Sequence, residues 1–337
     1  MPHRGERPEP LRRRHRLDDM KRALVAPETE IRKRSRLAPP WPGREYEVGD
    51  QRLFIRDTPP TAADTEPALY IHGLGGSSQN WTDLADVLSH RLSGQSVDLP
   101  GFGHSAPTTS YTIPALARRV AAWITMSDRG PVHLFGNSLG GAVSVYVAAT
   151  RPHLVKSLTL ISPAMPFIDV RTSSQSRLLP LLAIPKAERF AARAMAALSP
   201  EQVVDQFAAN CWGDPKDVPE QRRLEAIEEI RRRSTVPWNS EAYIRTFRAL
   251  VSSFLQSYLP GSSSLWRLAA QIEAPTLVIW GNLDKLVSVG LAPQVGRVIP
   301  DSRLLILNKV GHVAMMERPE IVGRAFVAML NEIQASD

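Results

Sequence analysis

The run Val132-His133-Leu134-Phe135-Gly136-Asn137-Ser138-Leu139-Gly140-Gly141 constrains the chain more than any other. Four mostly apolar residues lead into a glycine-flanked serine, and the apolar run 142–149 comes next. A buried strand, a very sharp turn and a buried helix satisfy this pattern. The glycines two residues either side of Ser138 have a steric purpose. A strand that turns directly into a helix brings backbone against backbone, where a Cβ would collide. The G-x-S-x-G turn strains the serine backbone and projects its hydroxyl at a helix N-terminus. There the helix dipole favours developing negative charge. A bare Gly-x-Ser-x-Gly is common in loops, so its neighbours in the chain decide its meaning.

Along the chain, residues 45–48 and 52–56 alternate apolar and polar around Gly49-Asp50, a hairpin signal. Residues 68–71 read as a buried strand that runs into His72-Gly73-Leu74-Gly75-Gly76. Asn80 reads as the N-cap of a helix with Leu84, Val87 and Leu88 inward. A strand ending at Asp98 precedes the Gly/Pro loop 99–105, and Thr112 and Pro114 start the next helix. His72, Asp98 and His104 read as structural residues of turns. After the Ser138 helix, residues 155–161 form a strand. Strands alternating with helices predict a mostly parallel sheet with helices on both faces.

The rhythm then breaks. From 163 to 265 there are helical patterns (187–198, 200–209, 219–233 and 240–258) and no convincing strand. Strands resume at 276–280 and 303–307, each followed by a polar loop, the first holding Asp284 and the second His312. A final helix carries Val322, Phe326, Met329 and Ile333 on one face. The expected organisation is an N-terminal extension (1–42), an α/β core (43–162 and 266–337) and an inserted helical cap (163–265).

Parallel strands end on one sheet edge, so Ser138, Asp284 and His312 are expected to meet there. His312 takes the serine proton and Asp284 holds the imidazole in the right tautomer. The N–H groups of Leu74 and Leu139 are expected to form the oxyanion hole. Asp169, in the loop after the preceding strand, is the alternative acid. Trp81, Met165, Phe167 and Met315 are the expected pocket side chains.

Five motifs in this order are similar to the α/β-hydrolase fold superfamily: His72-Gly73-Leu74-Gly75-Gly76, residues 98–105, Gly136 to Gly141, Trp280-Gly281-Asn282-Leu283-Asp284, and Gly311-His312 with Glu317-Arg318-Pro319. The resemblance spans about residues 45–335. It implies the α/β-hydrolase fold, an eight-stranded sheet with a helical cap, and neither a cofactor nor a metal. Ser138 stands where epoxide hydrolases and haloalkane dehalogenases place an aspartate. The stretch 311–319 looks like that of monoacylglycerol-lipase-type esterases. Residues 136–141 also resemble the hydrolases of meta-cleavage products, although Val313 stands where those enzymes carry tryptophan. The expected activity is serine hydrolysis of a small or medium lipophilic carboxylic ester through an acyl-enzyme. The alternatives are C–C bond hydrolysis and a non-catalytic binding module on the same fold.

Charge bears on partners. Residues 1–40 hold 12 Lys/Arg against 6 Asp/Glu, and the other residues 29 against 28, so the net +7 belongs almost entirely to the arm. The arm reads as a solvated tail or as a segment touching an anionic membrane. Without interleaved aromatics, no nucleic-acid partner is expected. Cys211 is the lone cysteine, and neither a signal peptide nor an apolar span of about 18 residues occurs. A cytoplasmic protein, with peripheral membrane contact at most, is therefore expected.

Overall fold

The computed structural model describes residues 20–167, 197–257, 259 and 264–335. Its strands are β1 (Gly43–Val48), β2 (Gln51–Thr58), β3 (Glu66–Ile71), β4 (Leu92–Asp98), β5 (Val132–Asn137), β6 (Val155–Ile161), β7 (Thr276–Gly281) and β8 (Ser302–Leu307). They form one eight-stranded sheet in the order β1-β2-β4-β3-β5-β6-β7-β8. β2 pairs antiparallel with β1 and β4, and every other pairing is parallel. Every residue of β5 and β7 is buried, as expected of strands covered on both faces.

Alternate strand residues feed two apolar clusters. Leu69, Ile71, Leu134 and Trp280 point to one face, packed under α2 (Ile113–Met126) and α3 (Leu139–Thr150). Tyr70, Phe135 and Ile279 point to the other, under α1 (Thr82–Leu88) and the last helix, Pro319–Gln334. Asn80 is not the N-cap of α1. A one-turn 3-10 helix, Ser78–Trp81, precedes α1, and Asn80 Oδ1 accepts the Ser77 N–H at 3.0 Å.

β6 and β7 are neighbours, Leu158 to Ile161 facing Thr276 to Ile279, yet more than a hundred residues separate them in sequence. That stretch holds α4 (Pro200–Cys211), α5 (Glu220–Ser234), α6 (Asn239–Gln256) and α7 (Leu265–Ala269). Ser199 caps α4 by accepting the Gln202 N–H at 3.2 Å, with Pro200 at the first helical position. The helix expected over 187–198 and the alternative acid Asp169 fall mainly or wholly outside the described residues. After β7 come α8 (Ala292–Val298), then α9 (Ala314–Glu317) and α10 (Pro319–Gln334) beyond β8.

The solvated extension expected over residues 1–42 does not hold for 20–42. Residues 21–23 run along the outer edge of β8: Leu304 N–H donates to the Lys21 carbonyl and Ala23 N–H to the Leu304 carbonyl, both at 3.0 Å. This covers an otherwise open sheet edge. Ala26 and Ile31 are buried under α10 and α1. Two of the arginines there have carboxylate partners: Arg32 pairs with Asp86, and Arg34 with Asp83 and Glu320. Arg222 of α5 binds the same Asp83 through two bonds, of 2.8 and 2.9 Å, and donates to the Ala38 carbonyl at 2.7 Å. A charge count by segment overlooks carboxylates that lie far away in sequence.

Candidate active site

Ser138 sits between β5 and α3 with φ 52° and ψ −116°, a backbone conformation costly for any residue with a side chain. Its position is fixed on both sides. The Ser138 N–H donates to the Ile161 carbonyl at 3.1 Å, and its carbonyl accepts from Ala164 at 2.9 Å. A Cβ on Gly140 would lie 2.2 Å from the Ile71 carbonyl oxygen, so the elbow admits only glycine there. Leu139 opens α3, where an N–H has no partner within its own helix.

The loop after β3 comes up against the elbow. A Cβ on Gly73 would stand 3.1 Å from Ser138 Cβ. His72, fully buried, shapes this loop. Its Nε2 accepts the Leu99 N–H at 3.0 Å, so Nδ1 carries the proton and donates to the Gly73 carbonyl at 2.7 Å. Burial holds its pKa below the ordinary histidine value. The peptide whose carbonyl it binds is the one that carries the Leu74 N–H. Asp98 is also structural: its two oxygens accept the Ser78 and His104 N–H groups at 2.6 and 2.8 Å. His104 stacks on Phe54, with ring centroids 4.5 Å apart.

Asp284 and His312 leave the ends of β7 and β8. His312 Nδ1 lies 2.8 Å from Asp284 Oδ2. The other oxygen, Oδ1, accepts the Leu286 and Val287 N–H groups at 2.9 and 3.0 Å. The Asp284 side chain is fully buried. Burial alone would raise its pKa. The His312 charge and hydrogen bond, with the Val287 N–H, outweigh that and hold the carboxyl below its ordinary value. With Nδ1 engaged, Nε2 is the nitrogen left to act as a base. Asn137 ties the histidine loop to the elbow: its Nδ2 donates to the carbonyls of Ile161 and His312, both at 3.0 Å.

The side chains expected to form a pocket are mostly closed. Trp81 has no exposed surface and packs between Tyr70 and Phe135, with centroids at 5.4 and 6.4 Å. It belongs to the core, because the helical turn that carries it faces the sheet. Met165 and Met315 are buried in the two apolar clusters. Phe167, partly exposed, meets Phe254 of α6 edge to face at 5.8 Å. An open cleft between α4 and α5, lined by Glu201, Arg223, Leu224, Ile227, Glu228 and Arg231, contains none of these residues.

Sequence reading assigns no role to three residues near these loops. Asn137 and Glu317 lie inside two of the five motifs, with no partner visible in the sequence. Arg233 of α5 carries no sequence signal. It is buried and donates through Nη1 to the Gly75 carbonyl at 2.8 Å. An ionised acid that orients an imidazole leaves Nε2 to act as a general base, the chemistry that can activate a hydroxyl as a nucleophile.

The chain is similar in sequence to known lipases. The family model for the alpha/beta hydrolase fold matches residues 67–319. Lipase 3 of Moraxella sp. (strain TA144) is 28% identical over 280 residues, covering 80% of this chain and 78% of the lipase. Monoacylglycerol lipase ABHD6 of Homo sapiens is 26% identical over 275 residues, covering 80% and 76%. Among solved structures, a membrane phospholipase A described as a bacterial virulence factor superposes with a TM-score of 0.69 at 25% identity, covering 88% of this chain and 87% of that one. A meta-cleavage product hydrolase, CumD, superposes with a TM-score of 0.65 at 18% identity, a likeness of fold alone.

Proposed function

Since the chain belongs to the α/β-hydrolase fold family, we propose that it is a serine hydrolase that cleaves carboxylic esters of small or medium lipophilic substrates. The observation that carries this reading is the 2.8 Å bond between Asp284 and His312, on a loop that Asn137 ties to the Ser138 elbow. The lipase relatives support ester hydrolysis in general.

In this reading His312 Nε2 takes the Ser138 proton as Oγ attacks the ester carbonyl. Negative charge gathers on the carbonyl oxygen, and the Leu74 and Leu139 N–H groups receive it. His312, now an imidazolium, is stabilised by Asp284, whose depressed pKa keeps it ionised. The imidazolium passes its proton to the departing alkoxide, leaving an acyl-Ser138 ester. Water, deprotonated by the same Nε2, hydrolyses that ester and restores the enzyme.

A fluorophosphonate probe tests the nucleophile directly, and p-nitrophenyl esters of increasing acyl length test the substrate. Wild type should be labelled and should turn over medium-chain esters. Ser138→Ala should lose labelling and about three orders of magnitude or more in kcat while keeping its fold. Ester turnover by a well-folded Ser138→Ala protein would rule the assignment out. The same assay beside a ring-cleavage product distinguishes ester from C–C bond hydrolysis.

We extend the proposal to where the substrate is met. Residues 12–16 carry four arginines and a histidine. Anionic lipid attracts such segments by about 1 kcal/mol per basic residue near the surface. No helix among the described residues is long and apolar enough to cross a membrane.

A further inference from the structure

The segment that leaves α4 meets the loop carrying His312 backbone to backbone. His312 N–H donates to the Cys211 carbonyl at 2.6 Å. A Cβ on Gly311 would stand 2.4 Å from that carbonyl oxygen and 2.7 Å from the Gly213 nitrogen, so nothing but glycine fits between them. One buried carboxylate closes the junction. Glu317 Oε1 accepts the Gly311 N–H at 2.8 Å, and Oε2 accepts the Gly213 N–H at 2.9 Å. Gly311 is the residue before His312, and Gly213 belongs to the inserted helical segment. The two donors are 98 residues apart in the chain.

We propose that Glu317 is a positioning residue for His312: it holds residues 211–213 against the histidine loop, so that the imidazole stays aligned with Ser138 and Asp284. This rests on the serine-hydrolase reading above. The residue type matters, because a carboxylate only accepts and can serve two N–H donors at once. A glutamine offers one acceptor oxygen, and its NH₂ would then face the second N–H, donor against donor. Asp284 is held separately, by Leu286 and Val287. Loss of the Glu317 bonds therefore frees the histidine, not the acid. Glu317 is buried, with each oxygen bonded to a backbone N–H, so its influence on the reaction passes through the histidine loop. The expected effect falls on kcat and leaves KM nearly alone.

The test is Glu317→Gln, read by kcat and KM on a soluble p-nitrophenyl ester, by the fluorophosphonate labelling rate, and by the downfield proton resonance of His312 Nδ1 in ¹⁵N-histidine-labelled protein. A displacement of catalytic groups by an ångström costs up to about a hundredfold. We expect kcat and labelling to fall about 10- to 100-fold, KM to change less than about threefold, and the resonance to broaden or vanish. Wild-type kcat with an unchanged resonance overturns the proposal. So does a lowered melting temperature with both readouts intact, which is the signature of a merely structural carboxylate. If Glu317→Gln does not fold, Glu317→Asp keeps the charge, shortens its reach, and should show the same kcat-selective loss. A loss confined to KM overturns it. A wild-type protein that is neither labelled nor active refutes the serine-hydrolase reading instead, and the resonance in the two variants then decides the positioning role alone.

Discussion

Replacing Asp284 by asparagine changes one atom, and the surroundings dictate the result. Two N–H donors, from Leu286 and Val287, converge on Oδ1. An amide nitrogen at that position would put donor against donor, so the asparagine oxygen must stay there. The NH₂ then occupies the Oδ2 position, 2.8 Å from His312 Nδ1. Nδ1 must accept, its proton moves to Nε2, and Nε2 can no longer take the proton of Ser138. The wrong tautomer costs about four orders of magnitude in kcat, or about 5.4 kcal/mol of barrier at 1.36 kcal/mol per decade. The assay is kcat on a soluble ester, beside the fluorophosphonate labelling rate and a thermal melt. The melt carries its own sign. Asp284 has a depressed pKa in the fold, so its charge stabilises the protein above the unfolded carboxylate value near 3.9 and this contribution is lost as pH falls through the lower, folded value. Asp284→Asn should therefore melt below wild type at neutral pH, and the gap should close in acid. A folded Asp284→Asn protein within tenfold of wild-type kcat would refute the tautomer argument. If Asp169→Asn were the damaging change instead, the acid is the other carboxylate.

The remaining predictions concern the fold and the arm. His72 and His133 are buried, burial lowers both pKa values, and Glu66 opposes this at His133 without prevailing. The unfolded chain thus binds protons that the fold refuses, and stability should fall below about pH 6.5 by up to about 1.4 kcal/mol per pH unit for each histidine. Urea melts between pH 8 and 5 measure this, and a flat profile would contradict it. Deleting residues 1–19 should leave soluble-ester turnover unchanged and weaken binding to anionic vesicles, most visibly at low salt; equal sedimentation of both forms would end the membrane idea. Deleting 1–40 also removes Ala26 and Ile31 from the core and Arg34 from Asp83, which should cost roughly 3 kcal/mol or more of stability.

How much of this fold is legible in the sequence depends on the range of each interaction. β5 to β8 are legible because each is a short apolar run closed by a glycine, an asparagine or another turn signal. Once they are read as parallel strands, Asp284 and His312 have to share an edge with Ser138, and the 2.8 Å bond between them needs no other assumption. The arm is not legible because its partners lie 49 and 286 positions away from Arg34. A local charge count cannot see them. Trp81 misleads for a different reason. Hydrophobicity marks a large apolar side chain, but which way it faces depends on the turn before α1, and there Asn80 is the capping partner of Ser77 and not the cap itself.

The loops that carry Leu74, Ser138 and His312 come from the ends of different strands, and buried polar side chains outside the proposed Ser138, Asp284 and His312 set hold them. His72 binds the carbonyl of the peptide that bears the Leu74 N–H, and hydrogen bonds on both ends of one peptide strengthen each other. Arg233 holds the same loop two residues further on, at Gly75, against whose Cα the Tyr243 ring packs so closely that an added Cβ would stand 3.0 Å from it. Asn137 binds the carbonyl of His312, and Glu317 the N–H of the residue before it. Such groups are costly to bury unless every bond is made, so each fixes its loop in one place. Fixed N–H groups need no reorganisation when charge develops on the substrate. Two of these holds come from the inserted helices: Arg233 lies on α5, and Gly213, bound by Glu317, comes just after α4. The inserted helices are therefore bonded both to the loop after β3 and to the histidine loop. Under the serine-hydrolase proposal, labelling by a small fluorophosphonate should slow in variants that loosen either hold, and unchanged labelling in both would refute this.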